Sequence, residues 1–145
     1  MANIADEISI LHVEDNSSFA ELTTTFLERE DNRFTIETAA RPDEGLERLE
    51  QEDFDCVVSD YDMPGQNGIE FLKIFRKEHE SRPFILFTGK GSEQVASDAI
   101  AAGVTDYLQK GGGSEIYSLL ANRISNSVEQ YRSKCVRSLG RSRLL

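Results

Sequence analysis

The 145-residue chain carries 26 acidic and 16 basic side chains, a formal net charge of −10, and that excess argues against nucleic-acid binding by the body of the domain. Two cysteines, Cys56 and Cys135, are too few for a disulfide framework and read as free thiols. No apolar stretch approaches the roughly 20 residues that cross a bilayer. The first residues lack the basic start and apolar core of a signal peptide, so the cytoplasm is the expected location and no membrane partner is expected.

The charge is unevenly spread. Arg132, Lys134, Arg137, Arg141 and Arg143 have no acid among them in residues 132–145. The division expected is therefore a domain over 1–131 and a basic tail over 132–145. That tail reads either as frayed chain or as the start of a linker helix in a longer protein. Arginines outnumber lysines 11 to 5, and an acidic, lysine-poor surface suits a halophile as well as an ordinary acidic cytosolic protein.

Five apolar, strand-like runs alternate with helix-period segments, which predicts a parallel α/β sheet with helices on both faces. Ile8–Val13 opens the chain. A helix follows, with Phe19, Leu22, Thr23, Phe26 and Leu27 at helical spacing behind capping residues Asn16 and Ser17. Phe34–Thr38 is the second strand. The second helix opens on Pro42, a favoured first helical residue, with Leu46 and Leu49 on one face. Cys56–Ser59 is the third strand, followed by a helix after Gly68 with Ile69, Leu72 and Phe75 in step. Phe84–Phe87 is the fourth strand. Its helix runs from about Ser92 to Gly103, a natural C-terminal stop. Val104–Leu108 is the fifth strand. The last helix starts near Ser114 with the stripe Ile116, Leu119, Leu120, Ile124, Val128 and Tyr131.

Ligands of an open parallel sheet bind outside the carboxyl ends of its strands. At those ends stand Glu14 and Asp15, then Asp60, then Thr88, then Lys110. Carboxylates crowded together repel, and one must protonate unless a cation sits among them. Oxygen ligands from one or two carboxylates, completed by water and phosphate, suit Mg²⁺. A carboxylate can also accept a phosphoryl group covalently, and that transfer needs charge stabilisation on the equatorial oxygens more than it needs acid–base chemistry. His12, inside the first strand, reads as a packed core histidine. Gly89-Lys90-Gly91-Ser92 lacks the full spacing of a phosphate-binding loop.

The motifs Leu11-His12-Val13-Glu14-Asp15-Asn16, Val57-Val58-Ser59-Asp60-Tyr61-Asp62-Met63-Pro64-Gly65, Phe87-Thr88-Gly89 and Asp106-Tyr107-Leu108-Gln109-Lys110, in this order, resemble the receiver domain of two-component response regulators over roughly residues 6–130. The resemblance implies a flavodoxin-like (βα)5 fold, a doubly wound five-stranded parallel sheet in the order 2-1-3-4-5. It implies Asp60 as phosphoacceptor, and Mg²⁺ bound by Asp15, by Asp60, by the backbone carbonyl of Asp62 and, through water, by Glu14. Thr88 and Lys110 would engage the phosphoryl oxygens, and Tyr107 would be a rotamer switch that turns inward. Asp62 and Lys90 would flank the phosphoryl group and tune its hydrolysis. The donor implied is a sensor histidine kinase or a phosphotransfer protein. The face formed by helix four, strand five and helix five would act on an output domain or effector, with room for a homodimer. The protein would be a self-phosphorylating and self-dephosphorylating switch in place of a turnover enzyme. Two positions depart from the family pattern. Gly89 stands where alanine or another small residue is usual, and Lys110 is followed by three glycines in place of a proline, which leaves the loop of the lysine less rigid.

Three rival readings share parts of this pattern. A haloacid-dehalogenase-type phosphatase also uses Asp-x-Asp after a strand, but there that motif comes first and the acidic pair last. A flavin-binding module of similar fold needs a first loop that cradles phosphate, which Glu14 and Asp15 would repel. A degenerate receiver that serves only for docking would lack acceptor-site residues, and all are present here.

Overall fold

The computed structural model describes residues 7–89, 91–111 and 113–144, with the side chains of 136–144 excepted. Among these, five strands and five helices alternate: β1 (Ile8–Val13), α1 (Ser17–Glu30), β2 (Phe34–Ala39), α2 (Pro42–Gln51), β3 (Cys56–Ser59), α3 (Gly68–Glu78), β4 (Phe84–Thr88), α4 (Glu93–Ala101), β5 (Asp106–Gln109) and α5 (Glu115–Leu144). All strand pairs are parallel and the order is β2-β1-β3-β4-β5. This is the doubly wound, flavodoxin-like arrangement expected from the alternation and the resemblance.

Strand side chains alternate between two cores because successive residues face opposite sides of the sheet. Ile8, Ile10, Cys56, Val58, Ile85 and Phe87 meet Leu27 of α1 and Leu120, Ile124 and Val128 of α5. On the other face, Leu11, Val13, Val57, Phe84 and Leu86 meet Phe71, Leu72 and Phe75 of α3 and Ala99 of α4. Strands β1, β3 and β4 are thus sealed on both sides, which is why they read as unbroken apolar runs. Truncating Phe71 or Phe87 to alanine removes contacts from one of these cores, at a cost of about 3–5 kcal/mol.

The helix starts follow their signals. Asn16 accepts from Phe19 N at 3.0 Å, Pro42 opens α2, and Ser92 accepts from Val95 N at 3.1 Å. Asn67 and Glu70 form a reciprocal capping box at α3, satisfying two backbone donors that helix geometry leaves unpaired.

Two expectations need correction. The fifth strand is Asp106–Gln109, not Val104–Leu108. Val104 N bonds back to Ala99 O at 3.0 Å and closes the end of α4. The Thr105 hydroxyl accepts from Phe84 N at 2.9 Å, so the ladder with β4 begins at Ile85 and Asp106. Leu22 and Leu119, placed on the buried stripes, are 46% and 39% exposed. In α1 the inward line is Ala20, Thr23 and Leu27, and Leu22 falls beyond its edge. Beyond Tyr131, where the sequence reads either as frayed chain or as linker helix, α5 runs without a break to Leu144. Its passage past the fold is secured by Arg132, which donates to Glu7 O at 2.6 Å and pairs with Asp55 at 3.2 Å.

Helices α3 and α4 are joined at their C-terminal ends by one side chain. Arg76 donates from Nε to Gly103 O at 2.8 Å, from one terminal nitrogen to His79 O and Arg82 O at 2.8 and 2.6 Å, and from the other to the Thr105 hydroxyl at 3.2 Å. Gly103 makes the stop possible, with φ +92°, a region that a side chain disfavours.

Candidate acceptor site

The carboxyl ends of β1, β3, β4 and β5 lie along one edge of the sheet, and each delivers one part of the site. β1 runs into Glu14, whose amide bonds to Ala39 O at 2.9 Å. β3 runs into Asp60, whose amide bonds to Val13 O at 3.0 Å. Those two bonds extend the sheet ladder past its last strand residues and fix the acids side by side. The Asp60 carboxylate is oriented in turn by Tyr61 N, which donates to Oδ1 at 2.8 Å. β5 leads to Lys110, whose amide bonds to Thr88 O at 2.8 Å.

Glu14, Asp15 and Asp60 each offer one oxygen, and these oxygens all lie within 4.8 Å of one another. Glu14 and Asp60 are buried, at 3% and 7% exposure, while Asp15 is exposed. The Lys110 ammonium lies 2.5 Å from Glu14 Oε1 and 3.5 Å from Asp60 Oδ2. It also stands 4.1 Å from the centroid of the Phe19 ring. Thr88 is fully buried. Asp62 is exposed. Together with Asn16 and Gly89, all of these residues line a cleft of about 340 Å³.

Burial pushes the Glu14 carboxyl up to about 7, against the pull of the Lys110 ammonium and with help from the Asp60 charge. Among the described residues the cluster is short of positive charge: the carboxylates of Glu14, Asp15 and Asp60 face the Lys110 ammonium. An oxygen-only donor set with excess negative charge, open on the Asp15 side, fits a hard divalent cation such as Mg²⁺. His12, fully buried in β1 two residues before Glu14, has its imidazole pushed down to about 3, chiefly by burial and then by Lys110. Neither ring nitrogen has a hydrogen-bond partner among the described residues. It is a packed core residue, as its place in β1 predicts.

The fold thus brings Glu14, Asp15, Asp60, Asp62, Thr88 and Lys110 to one cleft. Tyr107 is not in it. Its ring packs against the core on the α3–α4 side, and its hydroxyl is shielded with no hydrogen-bond partner among the described residues. Lys90, the expected partner of Asp62, lies outside the described residues.

The sequence reading missed three participants. Phe19 was seen only as a face residue of α1, although it stands one helical turn beyond Asp15. Gly68 was seen only as the start of α3. A Cβ there would come within 2.3 Å of Asp60 O and 2.8 Å of the Leu86 side chain, so only glycine lets α3 start against the acceptor strand. Gly91 lies below the ends of two β5 side chains. A Cβ there would overlap the Gln109 amide and the Tyr107 hydroxyl.

A parallel β2-β1-β3-β4-β5 sheet with clustered acids, a buried threonine and a lysine at its carboxyl edge defines a class of phosphate-handling signalling domains. A sequence profile of the response regulator receiver domain matches residues 10–120, and the chain belongs to that family. It is 33% identical over 105 residues to the transcriptional regulatory protein ResD of Bacillus subtilis, covering 72% of this chain and 42% of that protein. It is 30% identical over 126 residues to the transcriptional regulatory protein SrrA of Staphylococcus aureus, covering 83% and 51%. The chain thus spans about half the length, or less, of these curated relatives. Among solved structures, a CheY-like receiver domain protein of Methanospirillum hungatei superposes with a TM-score of 0.78 at 26% identity, covering 88% of this chain and 98% of that one. The chemotaxis response regulator CheY4 of Vibrio cholerae gives 0.73 at 27% identity, covering 81% and 98%. The protein is a receiver domain of the two-component type, and a signalling switch by family. Among the described residues no helix is long and apolar enough to cross a membrane.

Proposed function

We propose that the domain takes a phosphoryl group on Asp60 from the phosphohistidine of a sensor histidine kinase or phosphotransfer protein in the cytoplasm. The observation that carries this reading is the convergence of three carboxylate oxygens within 4.8 Å of one another beside the Lys110 ammonium. In the transfer, an Asp60 oxygen attacks phosphorus in line. The P–O bond forms as the P–N bond breaks, and the electron pair returns to the imidazole nitrogen of the donor. Hydrolysis reverses the modification: water attacks phosphorus, the acyl P–O bond breaks, and inorganic phosphate leaves.

Asp15, Asp60 and the Asp62 carbonyl are the proposed ligands of Mg²⁺, with Glu14 reaching it through water. Bound there, the ion would supply charge neutralisation to the phosphoryl oxygens. Lys110 would supply a second positive charge and Thr88 a hydroxyl donor. Asp62 and Lys90 would control access of the hydrolytic water. The switch reading assigns Tyr107 to follow Thr88, so that the face built by α4, β5 and α5 changes packing and is read by an output domain, an effector or a second copy. Residues 1–131 form the receiver unit in this proposal, and 132–145 the start of a linker. To carry such a face from 1:99 to 99:1, the phosphoryl group must favour one packing by roughly 5.5 kcal/mol.

The test is intact-mass analysis after treatment with acetyl phosphate, with and without Mg²⁺. One phosphoryl mass is gained only with Mg²⁺, and Asp60→Asn abolishes it. Labelling that persists in that variant overturns the assignment of Asp60.

A further inference from the structure

Lys110 carries its ammonium on a long stem, and no proline follows it. Its own amide is tied to Thr88 O at 2.8 Å, but the residues after it are glycines, with φ +118° at Gly111 and +76° at Gly113. A lysine ammonium so mounted has two easy destinations: onto the buried Glu14 carboxylate, or out into water. It stands on the first, 2.5 Å from Glu14 Oε1, and beside an aromatic face. The ammonium lies 4.1 Å from the centroid of Phe19, well within cation–π range.

The ring is itself held. Its centroid is 5.9 Å from that of Phe87 on β4 and 6.5 Å from that of Tyr117 on α5. Tyr117 stacks on Phe26 at 4.7 Å, with planes 5° apart. Phe19 also sits in the first turn of α1, whose cap Asn16 directly follows Asp15. The acids and the ring therefore come from one short, capped segment. A ring face attracts the charge of an ammonium without occupying its hydrogen-bond donors in a fixed direction. Those donors stay available to carboxylate or phosphoryl oxygens as the charge in the cleft changes.

We infer that Phe19 is a positioning residue for Lys110: its ring face, together with the Glu14 carboxylate, sets where the ammonium stands beside the acceptor carboxylate. This rests on the reading of Asp60 as phosphoacceptor. Phe19 packs partly against the core as well, and packing alone would be served by a leucine. The two roles separate in a set of variants of the full chain: Phe19→Leu, Phe19→Tyr, Lys110→Ala and the Phe19→Leu/Lys110→Ala pair.

With acetyl phosphate as donor, Phe19→Leu slows phosphorylation by about five- to tenfold, a change in the range of a partly shielded cation–π contact. Mg²⁺ affinity in that variant stays within about twofold of the parent, since no ligand is touched. Phe19→Tyr, which keeps the ring, restores the rate. In the Lys110→Ala background Phe19→Leu adds nothing, as a double-mutant cycle requires of two residues acting as a unit. An unchanged rate in Phe19→Leu, or the same slowing with and without Lys110, overturns the inference. A second readout needs no phosphorylation. The ring current of Phe19 displaces the resonances of the Lys110 side chain upfield, and the displacement is lost in Phe19→Leu and kept in Phe19→Tyr. Its absence in the parent overturns the placement itself. A parent chain that shows the displacement but takes no label at Asp60 instead refutes the phosphoacceptor reading.

Discussion

The proton on Glu14 offers the sharpest test of how the cleft handles charge. Burial raises this carboxyl to about 7, so near neutral pH about half of the molecules carry a proton there. A divalent cation among the three carboxylates favours the ionised form and must expel that proton. The apparent dissociation constant for Mg²⁺ then scales inversely with the ionised fraction of Glu14. Between about pH 8 and about pH 6 it weakens roughly tenfold, on the order of 1.4 kcal/mol. Titration calorimetry at both pH values, in buffers of different ionisation enthalpy, reads the constant and the proton count together. About half a proton is released per ion near pH 7. Glu14→Gln removes the release and flattens the dependence over that window. A tenfold change that survives in Glu14→Gln, or one absent from the parent, refutes the argument that this buried carboxyl is the group linked to the ion.

Other outcomes follow from the same geometry. Asp60→Asn removes one of three crowded carboxylates, so without Mg²⁺ it raises stability by about 1 kcal/mol in urea denaturation, while losing most of the stabilisation that Mg²⁺ gives the parent. His12 has a folded value of about 3, below its ordinary 6.5. Its contribution is therefore present above about pH 6.5 and falls by about 2 kcal/mol at pH 5. Glu14, raised from 4.5 to about 7, runs the other way: its contribution is full below about 4.5 and is lost as the pH rises through 7. The two slopes oppose, so the stability of the metal-free protein is nearly flat between about pH 4.5 and 6.5, and Glu14→Gln exposes the loss on the acid side; denaturant midpoints against pH check both. Gly91→Ala drives Tyr107 and Gln109 from their places, because Gly91 has no positive φ and is needed only for room. Tyrosine near-ultraviolet circular dichroism reads the displacement, and the variant gives a smaller spectral change on phosphorylation than the parent.

How far the sequence could be read depended on what each signal was made of. β1 and β3 were bounded correctly because a strand buried on both faces is an apolar run that stops where charge begins, at Glu14 and Asp60. The acids were legible because a parallel sheet sends strand ends to one edge. β5 was misplaced by two residues at its start. Val104 and Thr105 have strand-like side chains, yet their backbone and hydroxyl groups serve the end of α4 and the start of β4. The length of α5 was hidden because its apolar stripe thins after Tyr131 while the backbone ladder continues, and a helix polar on most faces gives no period to read. Phe19 was seen but not understood. A partly buried aromatic on an amphipathic helix looks the same whether or not a cation lies on it, and the lysine is 91 positions away in the chain.

One side chain at the far end of the domain bears on what happens at the cleft. Arg76 ties the last turn of α4 to the end of α3 through carbonyls and a hydroxyl, while along its own length α4 buries only Ala99. Its opposite end begins at Ser92, directly after the loop that leaves Thr88. A rod clamped at the base and lightly seated elsewhere pivots, and its displacement grows with distance from the clamp. If the proposed switch starts at the threonine, the displacement would be largest at the tip of α4 and would die out toward Gly103, leaving the Arg76 end as the frame against which the swing is measured.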